Sequence, residues 1–157
     1  MKLLSMFMKN KTIKEGLINY LTKGDEPDII IYRSEYDNQP YVVSYFSDYG
    51  YLRFCITHIP DGKRSELFAS VEEGVITIND IRCTIINNGY GTVLVSELIN
   101  YAKENEVKTI VGWISNVDND HMERLVHFYS KFGFEILPTP KDKPEGLKLA
   151  DIILRLE

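Results

Sequence analysis

The chain has 157 residues, of which 44% are hydrophobic and 26% are charged. These proportions are typical of a globular domain and exclude a disordered or collagen-like chain. The length predicts one domain over residues 1–157 with a core of its own. The net charge is −5, from 18 Lys and Arg against 23 Asp and Glu. Since nucleic-acid binding needs a surplus of cations, we expect no nucleic-acid partner.

The sequence also predicts a cytoplasmic protein without a membrane partner. No apolar run approaches the roughly 20 residues of a membrane helix. The apolar start, Met1–Met8, is followed by no small-residue cleavage site, which argues against a signal peptide. Cys55 and Cys83 lack the spacing of zinc ligands, so we expect two buried free thiols and no metal site.

The N-terminal half predicts one helix and then a series of strands. Lys11–Lys23 has apolar residues at helical spacing and ends before Gly24. The predicted strands are Asp28–Arg33, Tyr41–Phe46, Tyr51–Ile59, Glu66–Val71 and Val75–Cys83. Short turn sequences rich in Asp, Asn, Gly and Pro separate the strands after Arg33, which predicts an antiparallel meander.

The C-terminal half alternates helices and strands. In order, the predicted elements are a loop at Asn87–Thr92, a helix at Thr92–Asn105, a strand at Val107–Ile114, a helix at Asp120–Phe132, and strands at Phe134–Leu137 and Leu149–Leu156. The strand–helix–strand order predicts parallel pairing between Val75–Cys83 and Val107–Ile114. Asp120 and Glu123 have the spacing of a capping box at the start of the second of these helices.

The strand Val75–Cys83 breaks the alternation of apolar residues. Ile76 and Ile78 are two positions apart, as are Ile81 and Cys83, but three positions separate the two pairs. An extra residue at Asn79-Asp80, a β-bulge, would return all four side chains to one face. The alternative is a strand that is buried on both faces and has no bulge.

The loop Asn88-Gly89-Tyr90-Gly91-Thr92 follows a strand and opens a helix. The first amides of a helix lack internal partners, the helix dipole adds positive charge there, and glycine permits a close backbone approach. These features favour a phosphate or pyrophosphate site, although a tight turn without a ligand is the alternative. Leu94 occupies the place of the third glycine of a dinucleotide fingerprint, and the Gly-Lys-Ser/Thr of a Walker A loop is absent.

Two motifs resemble the GNAT superfamily of acyl-CoA-dependent N-acetyltransferases. Ile86-Asn87-Asn88-Gly89-Tyr90-Gly91 occupies the place of the family's Arg/Gln-x-x-Gly-x-Gly/Ala motif, with isoleucine at its first position. His127-Phe128-Tyr129-Ser130-Lys131-Phe132-Gly133-Phe134 resembles its Phe/Leu-Tyr-x-Lys-x-Gly-Phe signature. The resemblance implies an α+β, three-layer fold. In it, helices lie on both faces of a mixed, mostly antiparallel sheet with one splayed parallel strand pair.

The resemblance implies acetyl-CoA as co-substrate, held between the two splayed strands. Backbone groups of Ile81, Arg82 and Cys83 would hold the pantetheine arm and the thioester carbonyl. The pyrophosphate would lie on the loop residues Asn87, Asn88, Gly89, Tyr90, Gly91 and Thr92. Tyr129, with Phe128 and Lys131 beside it, would be the general acid that protonates the departing thiolate. On spacing alone, Tyr129 is also compatible with a half-buried packing residue of an amphipathic helix.

The acceptor would be a primary amine that must lose a proton. Candidate bases are Asp80, which we favour, and Glu72, Glu73 and His121. The acceptor site would be formed by the N-terminal part of the chain and the loop Pro138–Gly146.

The predicted function is therefore an acetyl-CoA-dependent N-acetyltransferase. A non-catalytic acyl-CoA-binding module is the alternative, because Ile86 replaces a basic or amide residue. A partner-binding domain that has lost the ligand is a third. The aromatic-rich segment offers a face for a homodimer, through Tyr32, Tyr36, Tyr41, Tyr45, Phe46, Tyr49 and Tyr51.

Overall fold

The computed structural model describes residues 31–115, 120–140 and 146–157. Its strands are β1 (Ile31–Arg33), β2 (Pro40–Asp48), β3 (Tyr51–His58), β4 (Arg64–Glu72), β5 (Val75–Arg82), β6 (Thr109–Ser115), β7 (Glu135–Pro138) and β8 (Lys148–Arg155). Its helices are α1 (Tyr90–Glu104) and α2 (Met122–Ser130). The predicted helix at Lys11–Lys23 and the start of the first predicted strand lie outside the described residues.

Within the described chain, eight strands form one mixed sheet in the order β1-β2-β3-β4-β5-β6-β8-β7. Strands β1 to β5 pair antiparallel in sequence order, which confirms the meander. Strands β5 and β6 pair parallel across the connection through α1, as predicted. The remaining pairs, β6 with β8 and β8 with β7, are antiparallel. The fold is α+β, with a mostly antiparallel sheet and one parallel pair.

The predicted bulge in β5 is confirmed. Phe68 of β4 pairs with Asp80, and the next residue, Ala69, pairs with Ile78, so Asn79 is the extra residue. Ile81 then lies opposite the buried Leu67. The inserted residue thereby keeps Ile76, Ile78 and Ile81 on the core face.

The core lies between the sheet and the buried sides of the helices. Leu94, Val95, Leu98 and Ala102 of α1 are each 0% exposed and belong to one hydrophobic cluster with alternate residues of the strands. Helix α1 begins at Tyr90, two residues earlier than predicted, and its N-cap is Gly89. Neither described helix has the length and apolar character that a membrane span requires.

Helix α2 begins two residues later than predicted, and the expected capping box is wrong. Its N-cap is His121, with no side-chain hydrogen bond to the first turn. Asp120 and His121 instead form a short 3₁₀ turn before the helix. A different backbone geometry at the start of the helix therefore displaces Asp120 from the capping position.

The aromatic residues of the N-terminal half are not on one surface. Tyr41 is buried and packs against Tyr32 and Tyr90. The side chains at the far end of the β2–β3 hairpin are exposed, with Tyr49 at 96%. The face suggested for a homodimer therefore does not include Tyr41.

Candidate active site

A cleft opens where β5 and β6 separate. The two strands pair only from Val75 to Thr77 and from Thr109 to Val111. Beyond these residues β5 stays paired with β4, and β6 stays paired with β8. The bulge at Asn79 lies at the point of separation, and bulges bend the strand that carries them. The resulting cleft has a volume of about 600 Å³.

The inner edges of the two separated strands offer backbone hydrogen-bonding groups to a ligand. Each strand has one paired edge and, past Thr77 and Val111, one edge without a β5–β6 ladder. Backbone amides and carbonyls need partners when they are covered, so these edges suit a ligand that contains amide groups of its own. The cleft is therefore chemically matched to an extended, amide-containing chain.

The start of α1 forms one end of the cleft. Gly89 is in the left-handed conformation with φ 70°, and Val93 N–H donates to the Gly89 carbonyl at 3.1 Å. No side chain caps this helix, and no acidic residue lies in its first turn. The amides of Gly89, Tyr90 and Gly91 thus precede the first intrahelical bond, and they lie where the helix dipole is positive. This end of the cleft can accept a phosphate group.

Three elements meet near Gly91. A side-chain carbon at Gly91 would lie 3.4 Å from Phe128 Cζ and 3.6 Å from Cys83 Sγ. The start of α1 therefore lies next to helix α2 and the end of β5, at ordinary contact distances. The end of the cleft at the start of α1 and the α2 wall belong to one continuous cleft.

Tyr129 lies in the α2 wall of the cleft and is 9% exposed. Its ring packs edge-on against Phe128 and Phe134, with centroids 5.1 and 5.4 Å apart. The Phe132 and Phe134 amides both donate to the Tyr129 carbonyl, at 3.1 and 3.3 Å, across the turn at Gly133. The side chain is held by packing on two sides, as a preorganised proton donor requires.

Of the candidate bases, the structure places only Asp80 at the cleft among the described residues. Its Oδ2 accepts a hydrogen bond from Arg82 Nε at 2.6 Å, and the Arg82 guanidinium lies over the Phe68 ring. Glu72 and Glu73 lie at the turn between β4 and β5, at the paired end of β5. His121 is exposed at the N-cap of α2 and does not line the cleft.

Most residues of the predicted donor site line this one cleft, namely Ile81, Cys83, Asn87, Asn88, Gly89, Tyr90, Gly91 and Phe128. Arg82, Thr92 and Lys131 do not line it, and all three side chains are exposed. Their backbone positions are nonetheless adjacent to lining residues. The cleft also contains Trp113, Ser115 and Arg124, for which the sequence carries no motif.

The two cysteines are free. Burial raises the pKa of both thiols. Cys55 is buried in the sheet, whereas Cys83 is half-buried. Because the thiolate is the nucleophilic form, Cys83 is poorly suited to form a covalent intermediate although it lines the cleft. The described residues contain no group of three or more side chains that could hold a metal ion.

Comparison with known proteins identifies related sequences. The model of the acetyltransferase (GNAT) family matches residues 84–134, which run from the end of β5 to the turn after α2. The uncharacterized protein YocC of Bacillus subtilis strain 168 is 29% identical over 86 residues, or 55% of this chain. The chain covers about half of that relative, 52% of its length.

Solved structures share the fold. An acetyltransferase of the GNAT family from Staphylococcus aureus Mu50 has a TM-score of 0.54 at 15% identity, and the match covers 69% of this chain and 69% of the other. A Bacillus subtilis acetyltransferase, solved in complex with CoA, has a TM-score of 0.54 at 16% identity and covers 69% of this chain and 78% of its own. The chain has the fold of the GNAT acetyltransferases, and the resemblance of its two motifs to that family is confirmed.

Proposed function

We propose that this protein transfers an acetyl group from acetyl-CoA to a primary amine. One observation carries the proposal: the cleft between β5 and β6 connects the start of α1, which has no side-chain cap, to the buried Tyr129. The cleft is large enough for the pantetheine arm of an acyl donor, at about 600 Å³. Both predicted motifs lie on it, one at each wall.

The donor would bind along the cleft from the helix start inward. The amides of Gly89, Tyr90 and Gly91 would hold the pyrophosphate. The open edge of β5 near Ile81 and Cys83 would pair with the amides of the pantetheine arm. The solved Bacillus subtilis acetyltransferase with the same fold binds CoA, which supports this assignment.

Tyr129 would supply the proton for the leaving group. As the amine nitrogen forms its bond to the acetyl carbon, the bond from that carbon to sulfur breaks, and the sulfur takes the phenolic proton. A phenol is protonated at neutral pH because its ordinary pKa is about 10. The raised pKa of the Cys83 thiol favours this direct transfer over an acetyl-cysteine intermediate.

The amine would reach the thioester from the open end of the cleft. Asp80, Trp113 and Ser115 line the cleft, and Asp80 is our proposed base, acting directly or through water. A carboxylate and an indole ring are both groups that attract a cationic amine before it loses its proton. The predicted acceptor loop lies mostly outside the described residues.

Donor binding and turnover test the proposal separately. CoA should raise the midpoint of thermal unfolding, because a ligand of the native state stabilises it. Release of free thiol from acetyl-CoA should depend on an added amine from a panel of small amines and peptides. A thermal shift without turnover on any amine would favour the non-catalytic acyl-CoA-binding module. If CoA caused no thermal shift and no amine supported turnover, both the acetyltransferase and the acyl-CoA-binding function would be contradicted.

Tyr129→Phe should lower kcat by about 100-fold, because the variant keeps the ring packing and loses the proton donor. Its affinity for CoA should equal that of the wild type. Tyr49→Phe is the matched control, since Tyr49 is 96% exposed. Equal turnover by wild type and Tyr129→Phe would refute the general-acid assignment.

A further inference from the structure

The turn between β1 and β2, residues Ser34–Gln39, packs against the proposed phosphate-binding loop. The turn is closed by its own hydrogen bonds. Ser34 N–H donates to the Gln39 carbonyl at 3.0 Å, and Asn38 N–H donates to the Ser34 carbonyl at 2.9 Å. Asp37 Oδ1 accepts from Gln39 N–H at 2.9 Å. With Ser34 also buried, the turn is a defined structure and not an open loop.

Two contacts join this turn to the loop. Asn88 Nδ2 donates to Asp37 Oδ2 at 2.7 Å, across 51 residues of sequence. The Tyr36 ring covers Gly89 so closely that a side-chain carbon there would lie 2.5 Å from Tyr36 Cε2. The contacts fall on consecutive loop residues, one through the side chain and one on the backbone.

The loop needs such support because its backbone is in an uncommon conformation. Asn87 and Gly89, on either side of Asn88, both have positive φ, at 60° and 70°. The left-handed region is costly for residues other than glycine, although asparagine tolerates it better than most. A loop released from Asp37 and Tyr36 would sample other conformations in which its amides no longer converge.

The charge of Asp37 makes a direct role in phosphate binding unfavourable. The Gln39 and Asn88 hydrogen bonds lower the pKa of its carboxyl group, so Asp37 is an anion at neutral pH. A carboxylate beside a phosphate site repels the ligand. The role of Asp37 is therefore better explained by its hydrogen bond to Asn88 than by a contact with the ligand.

We propose that Asp37 and Tyr36 are positioning residues that hold the Asn87–Thr92 loop in its anion-binding conformation. Through them, the β1–β2 hairpin sets the affinity for the phosphate-bearing end of the acyl donor. The inference rests on the proposed function, since it takes the donor to be a CoA thioester.

Isothermal titration with two ligands tests this role. CoA carries the phosphates, whereas pantetheine has the same arm without them. Asp37→Ala should weaken CoA binding by about tenfold, because the loss of a hydrogen bond to a charged group outweighs the smaller gain from removing a nearby negative charge. Its binding of pantetheine should be unchanged. Tyr36→Ala should weaken CoA binding a few-fold, and because Tyr36 is 68% exposed its removal should leave the fold intact.

Glu35→Ala is the matched control. Glu35 belongs to the same turn, is exposed, and makes no hydrogen bond or ion pair among the described residues. Its removal deletes the same charge without touching the loop, so CoA should bind as to wild type or slightly more tightly. Asn88→Ala combined with Asp37→Ala should weaken binding by much less than the two separate effects added together.

The positioning role is overturned if Asp37→Ala binds CoA as wild type does, or if it loses CoA and pantetheine equally. Failure of the proposed function is distinct, since the wild type itself would then not bind CoA. Should Asp37→Ala not fold, unchanged CoA affinity in both Tyr36→Ala and Asn88→Ala would overturn the role.

Discussion

At the scale of single residues, Ile86 bears on how the proposed phosphate-binding end of the cleft would hold an anion. The side chain is 68% exposed and lines the cleft at the position where the family motif has Arg or Gln. Arg124 is the only Lys or Arg side chain among the described residues that line the cleft. Anion binding here would therefore come mainly from amides and the dipole of α1, which are neutral donors fixed by the fold.

Ile86→Arg should strengthen CoA binding about two- to fivefold at low ionic strength, in keeping with about 0.5–1 kcal/mol for one exposed charge interaction. The gain should shrink as salt is added, because salt screens exposed charges. Titration of CoA at two salt concentrations measures both effects. Ile86→Gln is the neutral control, and an affinity gain that does not respond to salt would show that charge is not the cause.

At the scale of elements, one inserted residue in β5 shapes the cleft. Asn79 adds a residue opposite β4, and the parallel ladder with β6 ends just before it, at Thr77. Gly112 of β6 faces Ile78 there, and a side-chain carbon at Gly112 would lie 3.4 Å from Ile78 Cβ. The bulge thus has two consequences. It keeps the apolar face of β5 continuous toward α1, and it bends β5 away from β6.

Deletion of Asn79 should strongly weaken CoA binding, because it would leave Ile78 and Ile81 on the core face of a regular strand and remove the bend that separates β5 from β6. Asn79→Ala is the matched control, since it keeps the residue count and removes only the weak 3.4–3.5 Å contacts with Ser70. It should bind CoA as the wild type does. Circular dichroism establishes that both variants fold. A folded deletion variant with normal affinity would disprove the role of the bulge.

At the scale of the whole molecule, we expect stability to depend on pH through Asp61 in the β3–β4 turn. His58 Nδ1 and Asp61 Oδ1 are 2.6 Å apart, and Lys63 Nζ lies 3.1 Å from Asp61 Oδ2. Partial burial raises the pKa of Asp61, but hydrogen bonds from His58 and Lys63 outweigh it and lower the pKa to about 2. The ordinary value for an aspartate is about 3.9, so the folded state favours the ionised form.

The stability that Asp61 contributes should be complete above about pH 4 and lost as the pH falls toward 2. Asp61→Asn should therefore be less stable than wild type at neutral pH, and the difference should narrow on acidification. Urea unfolding at several pH values measures it. Asp48→Asn, at an exposed position, controls for the loss of one negative charge. A difference that stays constant from pH 7 to pH 2 would contradict the role of the ion pair.

From β1 onward, the sequence by itself determined the order of elements, the antiparallel meander and the parallel pair, and it favoured the bulge. These depend on local periodicity: a spacing of two residues marks a strand face, and a three-residue step between Ile78 and Ile81 marks one extra residue. The family resemblance of the two motifs also predicts that Gly89, Gly91 and Tyr129 share one cleft, and all three line it. The start of α2 was predicted wrongly because a capping signal at Asp120 and Glu123 is weak beside the geometry of the preceding turn.

Only the tertiary structure decided which distant side chains meet at the cleft. Trp113 lines it because β6 pairs beside β5, and Arg124 lines it because α2 forms another wall of the cleft; neither has a sequence signal of its own. Asp37 reaches Asn88 across 51 residues, a contact that exists only once the hairpin and the start of α1 are packed. Local spacing fixes which way a side chain points on its own element. The partners of that side chain on other elements depend on how the sheet and the helices pack together.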